Sequence, residues 1–87
     1  MRFPCACCGY LQLTEGGHGT FEICGVCFWE DDPVQFGDPD FRGGANGPSL
    51  REAQANFREF GAYDRDALPH VQAPSPEVPR DPEWKPL

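Results

Sequence analysis

The sequence lacks long apolar runs and has few basic residues. No stretch of the 87 residues approaches the roughly 18 consecutive apolar residues of a membrane-spanning helix. Seven Lys and Arg residues stand against 14 Asp and Glu residues, which gives a formal net charge of -7. Because Lys and Arg drive binding to phosphates, this balance argues against nucleic acid or a membrane surface as a partner. The residues before Cys5 lack the apolar core of a secretion signal, so we expect a reducing, cytoplasmic location.

Patterns typical of catalysis are also missing. The two histidines, His18 and His70, are far apart in sequence, and neither has the spacing of a recognisable base or metal-ligand pair. No Ser-His-Asp arrangement, phosphate-binding loop or dinucleotide-binding fingerprint occurs. We therefore expect that the protein is not an enzyme.

The sequence is rich in cysteine, with five in a chain that is short for a stable core. A domain of this size buries only about 60% of its unfolded surface and usually needs a cross-link or a metal ion. Two C-x-x-C pairs, Cys5 with Cys8 and Cys24 with Cys27, are separated by 15 residues. This spacing is typical of a four-thiolate zinc site, because each pair can aim two sulfur atoms at one point. We predict that these four cysteines bind structural zinc; the alternative is buried or disulfide-linked thiols.

The residues around the pairs predict a zinc-ribbon-like hairpin. Segments 10–13 and 20–23 have strand propensity, and three glycines lie between them at 15–19. A hairpin of these segments would bring the two cysteine pairs together. Gly9 suits the turn after the first pair. Phe28 has the equivalent place after the second pair, so we expect the chain to turn differently there and to bury Phe28 and Trp29 under the site.

One α-helix is predicted at about 50–60. Ser49 and Glu52 have the spacing of a capping box, and Gly61 suits the position just after the last turn. Apolar residues recur at helical spacing along one face, which should pack on the cysteine-rich head: Leu50, Ala53, Phe57 and Phe60. The fold class is thus a small metal-stabilised α+β domain.

The C-terminal part is rich in proline, with six prolines in residues 69–87. Proline removes backbone donors and favours extended conformations. We divide the chain into a cysteine-rich zinc-binding domain at 1–66 and a proline-rich, irregular extension at 67–87. Trp84 would be an exposed apolar group on a free tail, so both a free and a docked tail stay open.

An acidic segment follows the second cysteine pair and has aromatic residues among its acids. One interpretation is that the segment is a solvated loop without a binding role, which keeps the protein soluble. The functional interpretation is that the segment forms a surface that binds a basic protein, since aromatic anchors and acidic side chains would suit such a partner. Four thiolates around a divalent ion would add about -2 to the formal charge. The predicted partner-binding residues are Trp29, Asp31, Asp32, Phe36, Asp38 and Asp40.

Four segments resemble the bacterial cysteine-rich CPCC family: FPCACCGYLQL, EICGVCFWEDDPVQ, DPDFRGGAN and SLREAQANFREFGA. The resemblance runs from Phe3 to about Tyr63 and leaves the proline-rich tail uncovered. Ala6 stands where the family's name motif has proline, which loses turn rigidity but no ligand. The resemblance implies a small metal-binding domain and brings no settled activity.

The first pair with its Gly9-Tyr10 sequel is also similar to a rubredoxin knuckle, although Phe28 and Trp29 depart from the second one. This partial likeness implies an alternative, iron in place of zinc with one-electron transfer as the function. Cys7, the one cysteine outside the two C-x-x-C pairs, lies between the two members of the first pair. It is either a partly exposed bystander or a reactive thiol that would support a thiol-based redox function.

Overall fold

The computed structural model describes residues 1–87. Its regular elements are β1 (Phe3–Pro4), β2 (Leu11–Leu13), α1 (Pro33–Gly37), α2 (Leu50–Phe60) and a 3-10 helix at Arg65–His70. Strands β1 and β2 form a two-stranded antiparallel sheet. A small α+β architecture with one main helix and four clustered cysteines is therefore present, as expected. No helix has the length and apolar character needed to cross a membrane.

The predicted hairpin between segments 10–13 and 20–23 does not form. Strand β2 pairs with β1, so this hairpin encloses the first cysteine pair. Residues 20–23 instead pair with the residues that follow the second cysteine pair: Ile23 and Glu30 form an antiparallel bridge, and the Phe21 N–H donates to the Asp31 carbonyl at 3.0 Å. The physical reason is loop length, because a C-x-x-C turn reverses the chain within a few residues and brings its own flanks together first.

Helix α2 confirms the predicted helix and its caps. The Ser49 hydroxyl accepts the Glu52 N–H at 3.1 Å, and the Glu52 carboxylate accepts the Ser49 N–H at 3.0 Å. Gly61 ends the helix in the left-handed conformation, with φ 87°. Leu50 and Ala53 are buried against the cysteines. The helix is therefore held by its apolar face as well as by its capped ends.

Helix α1 has no counterpart in the sequence-based expectations. The Asp32 carboxylate caps it by accepting the Val34 N–H at 2.8 Å, and Pro33 begins the first turn. Gln35 on this helix is fully buried. Its amide group donates to three carbonyls of the long glycine-rich loop, at 3.0–3.1 Å, which belong to Phe41, Asn46 and Pro48. A buried amide thus takes the place of regular structure in holding this loop.

The core is built around the cysteines. All five are almost inaccessible to solvent, and Trp29 is 1% exposed. The other apolar members of the cluster are Ala6, Leu13, Val26, Leu50 and Ala53. The Trp29 ring packs edge-on against Tyr63, with ring centroids 6.0 Å apart. Much of this small interior is therefore made of sulfur-bearing side chains.

The proline-rich tail lies against the domain. The Leu11 N–H donates to the Pro79 carbonyl at 3.0 Å, and the Asp81 N–H donates to the Gly9 carbonyl at 2.8 Å. The Trp84 indole N–H donates to the Ala6 carbonyl at 3.1 Å. Of the two alternatives for the tail, the structure shows the docked one.

Candidate metal centre

Four cysteine sulfur atoms meet in the interior. The Cys5 and Cys27 Sγ atoms are 3.6 Å apart, and those of Cys8 and Cys24 are 3.7 Å apart. All four sulfur atoms lie within 4.8 Å of one another. In a tetrahedral site with metal–sulfur bonds of about 2.3 Å, neighbouring sulfurs are about 3.8 Å apart. The four side chains therefore fit one metal ion without rearrangement of the fold.

Two similar turns present these sulfur atoms. In the first knuckle (residues 5–9), the Gly9 N–H donates to the Cys5 carbonyl at 2.8 Å. In the second knuckle (residues 24–28), the Phe28 N–H donates to the Cys24 carbonyl, also at 2.8 Å. Gly9 and Phe28 both have left-handed backbone, with φ 79° and 72°. The prediction of a different turn after Cys27 is therefore wrong: the geometry of a knuckle requires this conformation even of Phe28.

The two aromatic residues after the second pair have different surroundings. Trp29 is buried beneath the site, as expected. Phe28 is only half-buried, and its ring stacks on His70 of the 3-10 helix with centroids 5.1 Å apart. The left-handed backbone turns Phe28 toward the 3-10 helix, and this stacking covers one of its faces.

The thiols are not arranged to stay charged without a cation. Burial raises the pKa of the Cys5 and Cys27 thiols well above the ordinary value. A hydrogen bond with Cys24 raises the pKa of Cys8, whereas hydrogen bonds, above all that with Cys27, lower the pKa of Cys24. Burial of four thiolates close together is costly unless a cation compensates their charge. Thiolate donors suit zinc and the iron of iron–sulfur sites, among other soft metal centres.

Cys7 is the one cysteine outside the four-sulfur cluster. It is 1% exposed, so the partial exposure that we considered for a bystander is wrong. Its side chain lines a cavity of about 360 Å³ between α2 and the tail. The tail closes over this position, which the sequence alone did not reveal.

Three of the six predicted partner-binding residues are buried, namely Trp29, Asp31 and Asp32. The Asp31 carboxylate accepts the N–H and hydroxyl of Thr20 at 3.3 and 3.2 Å. Asp32 caps α1 and also accepts the Ala45 N–H at 2.8 Å. These carboxylates accept hydrogen bonds from backbone N–H groups inside the fold. Our prediction that Trp29, Asp31 and Asp32 belong to a partner-binding surface is therefore wrong.

The other three predicted residues are exposed. Phe36 is 43% exposed, and one face of its ring stacks on His18 with centroids 4.0 Å apart. Asp38 is exposed, whereas Asp40 forms a surface ion pair with Arg51 at 2.8 Å. The structure therefore leaves only Phe36, Asp38 and Asp40 where a partner could contact them.

Two polar residues near the centre were missed by the sequence analysis. The Gln54 side chain is buried on α2 and donates to the Ala6 carbonyl of the first knuckle at 2.9 Å. The Arg80 side chain donates to the Cys8 carbonyl at 2.8 Å. Gln54 follows Leu50 by four positions and precedes Phe57 by three, so helical periodicity could have placed it on the buried face. No local pattern marks Arg80.

Comparison with known proteins agrees with this geometry. The sequence model described as Cysteine-rich CPCC matches residues 3–78, which extends about fifteen residues beyond the resemblance noted at Tyr63 and into the proline-rich tail. A search of curated proteins finds no significant match. The matched region contains both cysteine pairs, α1, α2 and the 3-10 helix. The chain therefore belongs to the cysteine-rich CPCC family.

Proposed function

We propose that this protein is a non-catalytic module in which the four cysteines bind one structural zinc ion. The observation that carries the proposal is the closed set of four buried sulfur atoms, all within 4.8 Å of one another. Four protein thiolates fill a tetrahedral coordination sphere, which leaves no position for water or substrate. The binding free energy of such an ion is on the order of 10 kcal/mol and would supply much of the stability of so small a domain.

We further propose that the module acts by binding a basic protein through the exposed surface at 34–41. Val34, Phe36 and Phe41 are 57%, 43% and 41% exposed, and Asp38 lies among them with no basic partner. Aromatic anchors next to acidic side chains favour a partner with basic groups around an apolar centre. The formal charge of -7 would also speed the encounter with such a partner.

Metal analysis of the purified protein tests the first proposal. We expect one zinc per chain and no absorption in the visible range. Cys24→Ser should lose the ion, while Cys7→Ser, as the matched control, should keep it. An iron-loaded, coloured protein would contradict the zinc proposal and indicate the electron-transfer alternative. The burial of Cys7 argues against the thiol-based alternative, since reactive thiols need access.

A charge reversal tests the partner-binding proposal. Immobilised wild-type protein and its variants are compared for capture of the same partner, identified by mass spectrometry. We expect Asp38→Lys and Phe36→Ser to lose the partner, and Glu77→Lys, an exposed site with the same change of charge, to keep it. Equal capture by all four proteins would contradict the proposal, as would a loss that Glu77→Lys shares.

A further inference from the structure

Each knuckle is covered by a later part of the chain. Over the second knuckle, the Tyr63 N–H donates to the Cys27 carbonyl at 3.0 Å, and the Gln72 N–H donates to the Gly25 carbonyl at 3.1 Å. This cover includes the 3-10 helix and the buried Ala67. The first knuckle is covered by residues 79–87, which we call the C-terminal strap and which contain no helix or regular strand.

The strap binds the carbonyl groups on the outer side of the first knuckle. The Trp84 indole donates to the Ala6 carbonyl, the Arg80 side chain to the Cys8 carbonyl and the Asp81 N–H to the Gly9 carbonyl, at 3.1, 2.8 and 2.8 Å. These carbonyls belong to the turn that aims two of the four sulfur atoms. The strap thus contacts the knuckle at the backbone that must move if its sulfurs are to separate from the ion.

Two side chains lock the strap in place. The Arg80 guanidinium lies over the rings of Tyr10, Trp84 and Phe57, with 4.9, 5.4 and 5.9 Å to the ring centroids. The Trp84 ring in turn lies so close to Gly9 that a Cβ there would be 2.5 Å from two of its atoms. Arg80 therefore joins the strap to α2 and to the residue after the first knuckle at the same time.

We propose that the C-terminal strap controls how fast the metal ion exchanges with external ligands, by holding the first knuckle closed; this rests on the proposed zinc site. An incoming ligand must replace the thiolates one after another, and each step breaks one metal–sulfur bond and forms one metal–ligand bond. Opening the second knuckle requires displacement of a structured segment with a buried residue. Opening the first requires that a largely exposed strap lifts and that the Gln54 hydrogen bond to the Ala6 carbonyl breaks, so this local opening is the easier route.

The experiment uses the full-length, zinc-loaded protein, with one ion per chain established first. An excess of a chromogenic chelator is added, and the rate of zinc release is followed. We expect Arg80→Ala and Trp84→Ala to release zinc about tenfold faster. Each variant loses one side-chain hydrogen bond to a knuckle carbonyl, from the guanidinium or from the indole N–H, together with a cation–π contact. Lys85→Ala is the matched control: Lys85 is on the same strap and is exposed, and it forms no hydrogen bond with the knuckle, so this variant should release zinc at the wild-type rate.

Pulse labelling with a maleimide separates strap opening from a general loss of stability. When the strap lifts, Cys5, Cys7 and Cys8 should be labelled before Cys24 and Cys27. Because Cys7 lies under the strap and is not a proposed zinc ligand, its labelling rate measures how often the strap opens. If a variant folds poorly, Trp84→Phe keeps an aromatic ring, although a smaller one, and removes the indole N–H that donates to the Ala6 carbonyl; it should still show this order.

Release at the wild-type rate from both alanine variants would overturn the inference, and so would equal acceleration of labelling at all five cysteines. The two proposals fail in different ways. A wild-type protein without zinc would contradict the proposed site itself. A zinc-loaded protein whose rate of zinc release is the same with and without the strap contacts would contradict only the inference.

Discussion

Gly9 and Phe28 occupy equivalent positions in the two knuckles. Both have left-handed backbone, with φ 79° and 72°, and each donates its N–H to the carbonyl of the first cysteine of its pair at 2.8 Å. A glycine adopts this conformation freely, whereas a residue with a side chain is destabilised there by about 1–2 kcal/mol. The second knuckle therefore keeps a strained phenylalanine, and its stacking on His70 offsets part of that strain.

Substitutions of Phe28 should separate these two effects. We expect Phe28→Gly to be more stable than Phe28→Ala by about 1 kcal/mol, because both lose the ring but only alanine keeps the backbone strain. Urea denaturation of the zinc-loaded variants measures the difference. An alanine variant at least as stable as the glycine variant would show that the left-handed backbone does not determine stability at this position.

Gly9→Ala should destabilise the first knuckle for a second reason besides the backbone. The added Cβ would lie 2.5 Å from ring atoms of Trp84, so the strap must shift. We expect a loss of about 2 kcal/mol or more in wild-type background, from steric overlap added to the backbone term. In a Trp84→Ala background the overlap is gone, so the same substitution should cost less; equal costs in the two backgrounds would contradict this contact.

Gln35→Glu should destabilise the long loop strongly. The substitution removes the amide donor from three carbonyls and places a carboxylate in a fully buried position. We expect a loss of about 3 kcal/mol in the free energy of unfolding, measured by urea denaturation at neutral pH. Gln72→Glu, the same change at an exposed side chain, is the control and should have little effect. Comparable losses in both variants would contradict the role of the buried amide.

Metal affinity should rise with pH from acidic to neutral conditions. Free cysteine thiols have a pKa of about 8.5, so the metal-free chain carries protons that the ion must displace. Competition titrations with a zinc chelator between about pH 5.5 and 8 measure the dependence. An affinity that does not change with pH would contradict thiolate ligation.

Complete removal of zinc should also abolish the tertiary circular dichroism signal, since the core is built around the four cysteines.

Several features follow from local sequence patterns. The spacing of the two cysteine pairs predicted a cluster of four sulfur atoms, and the capping box with Gly61 predicted α2 with its two ends. Each cysteine pair and each helix end depends on residues within a few positions of one another, where turns and helical periodicity set the geometry. The two pairs meet across a longer separation, which the known spacing of four-cysteine sites predicts. The family resemblance likewise depended on motifs within the matched region.

Other features depend on contacts between residues that are distant in sequence. The acids Asp31 and Asp32 look like a surface run, but the fold turns them inward toward backbone donors of Thr20 and Ala45. The strand pairing was predicted wrongly because segments 10–13 and 20–23 have the same propensities whichever partner they take.

The amino-acid sequence by itself determined that this chain has a four-cysteine cluster, a capped helix and an acidic charge. Only the tertiary structure decided which acids reach the surface, that each knuckle is its own hairpin turn, and that the tail docks. The contact between Arg80 and the Cys8 carbonyl spans 72 positions, so no local pattern encodes it. Such a contact forms only once the core has brought the first knuckle, α2 and the tail together, because its partners become neighbours through packing alone.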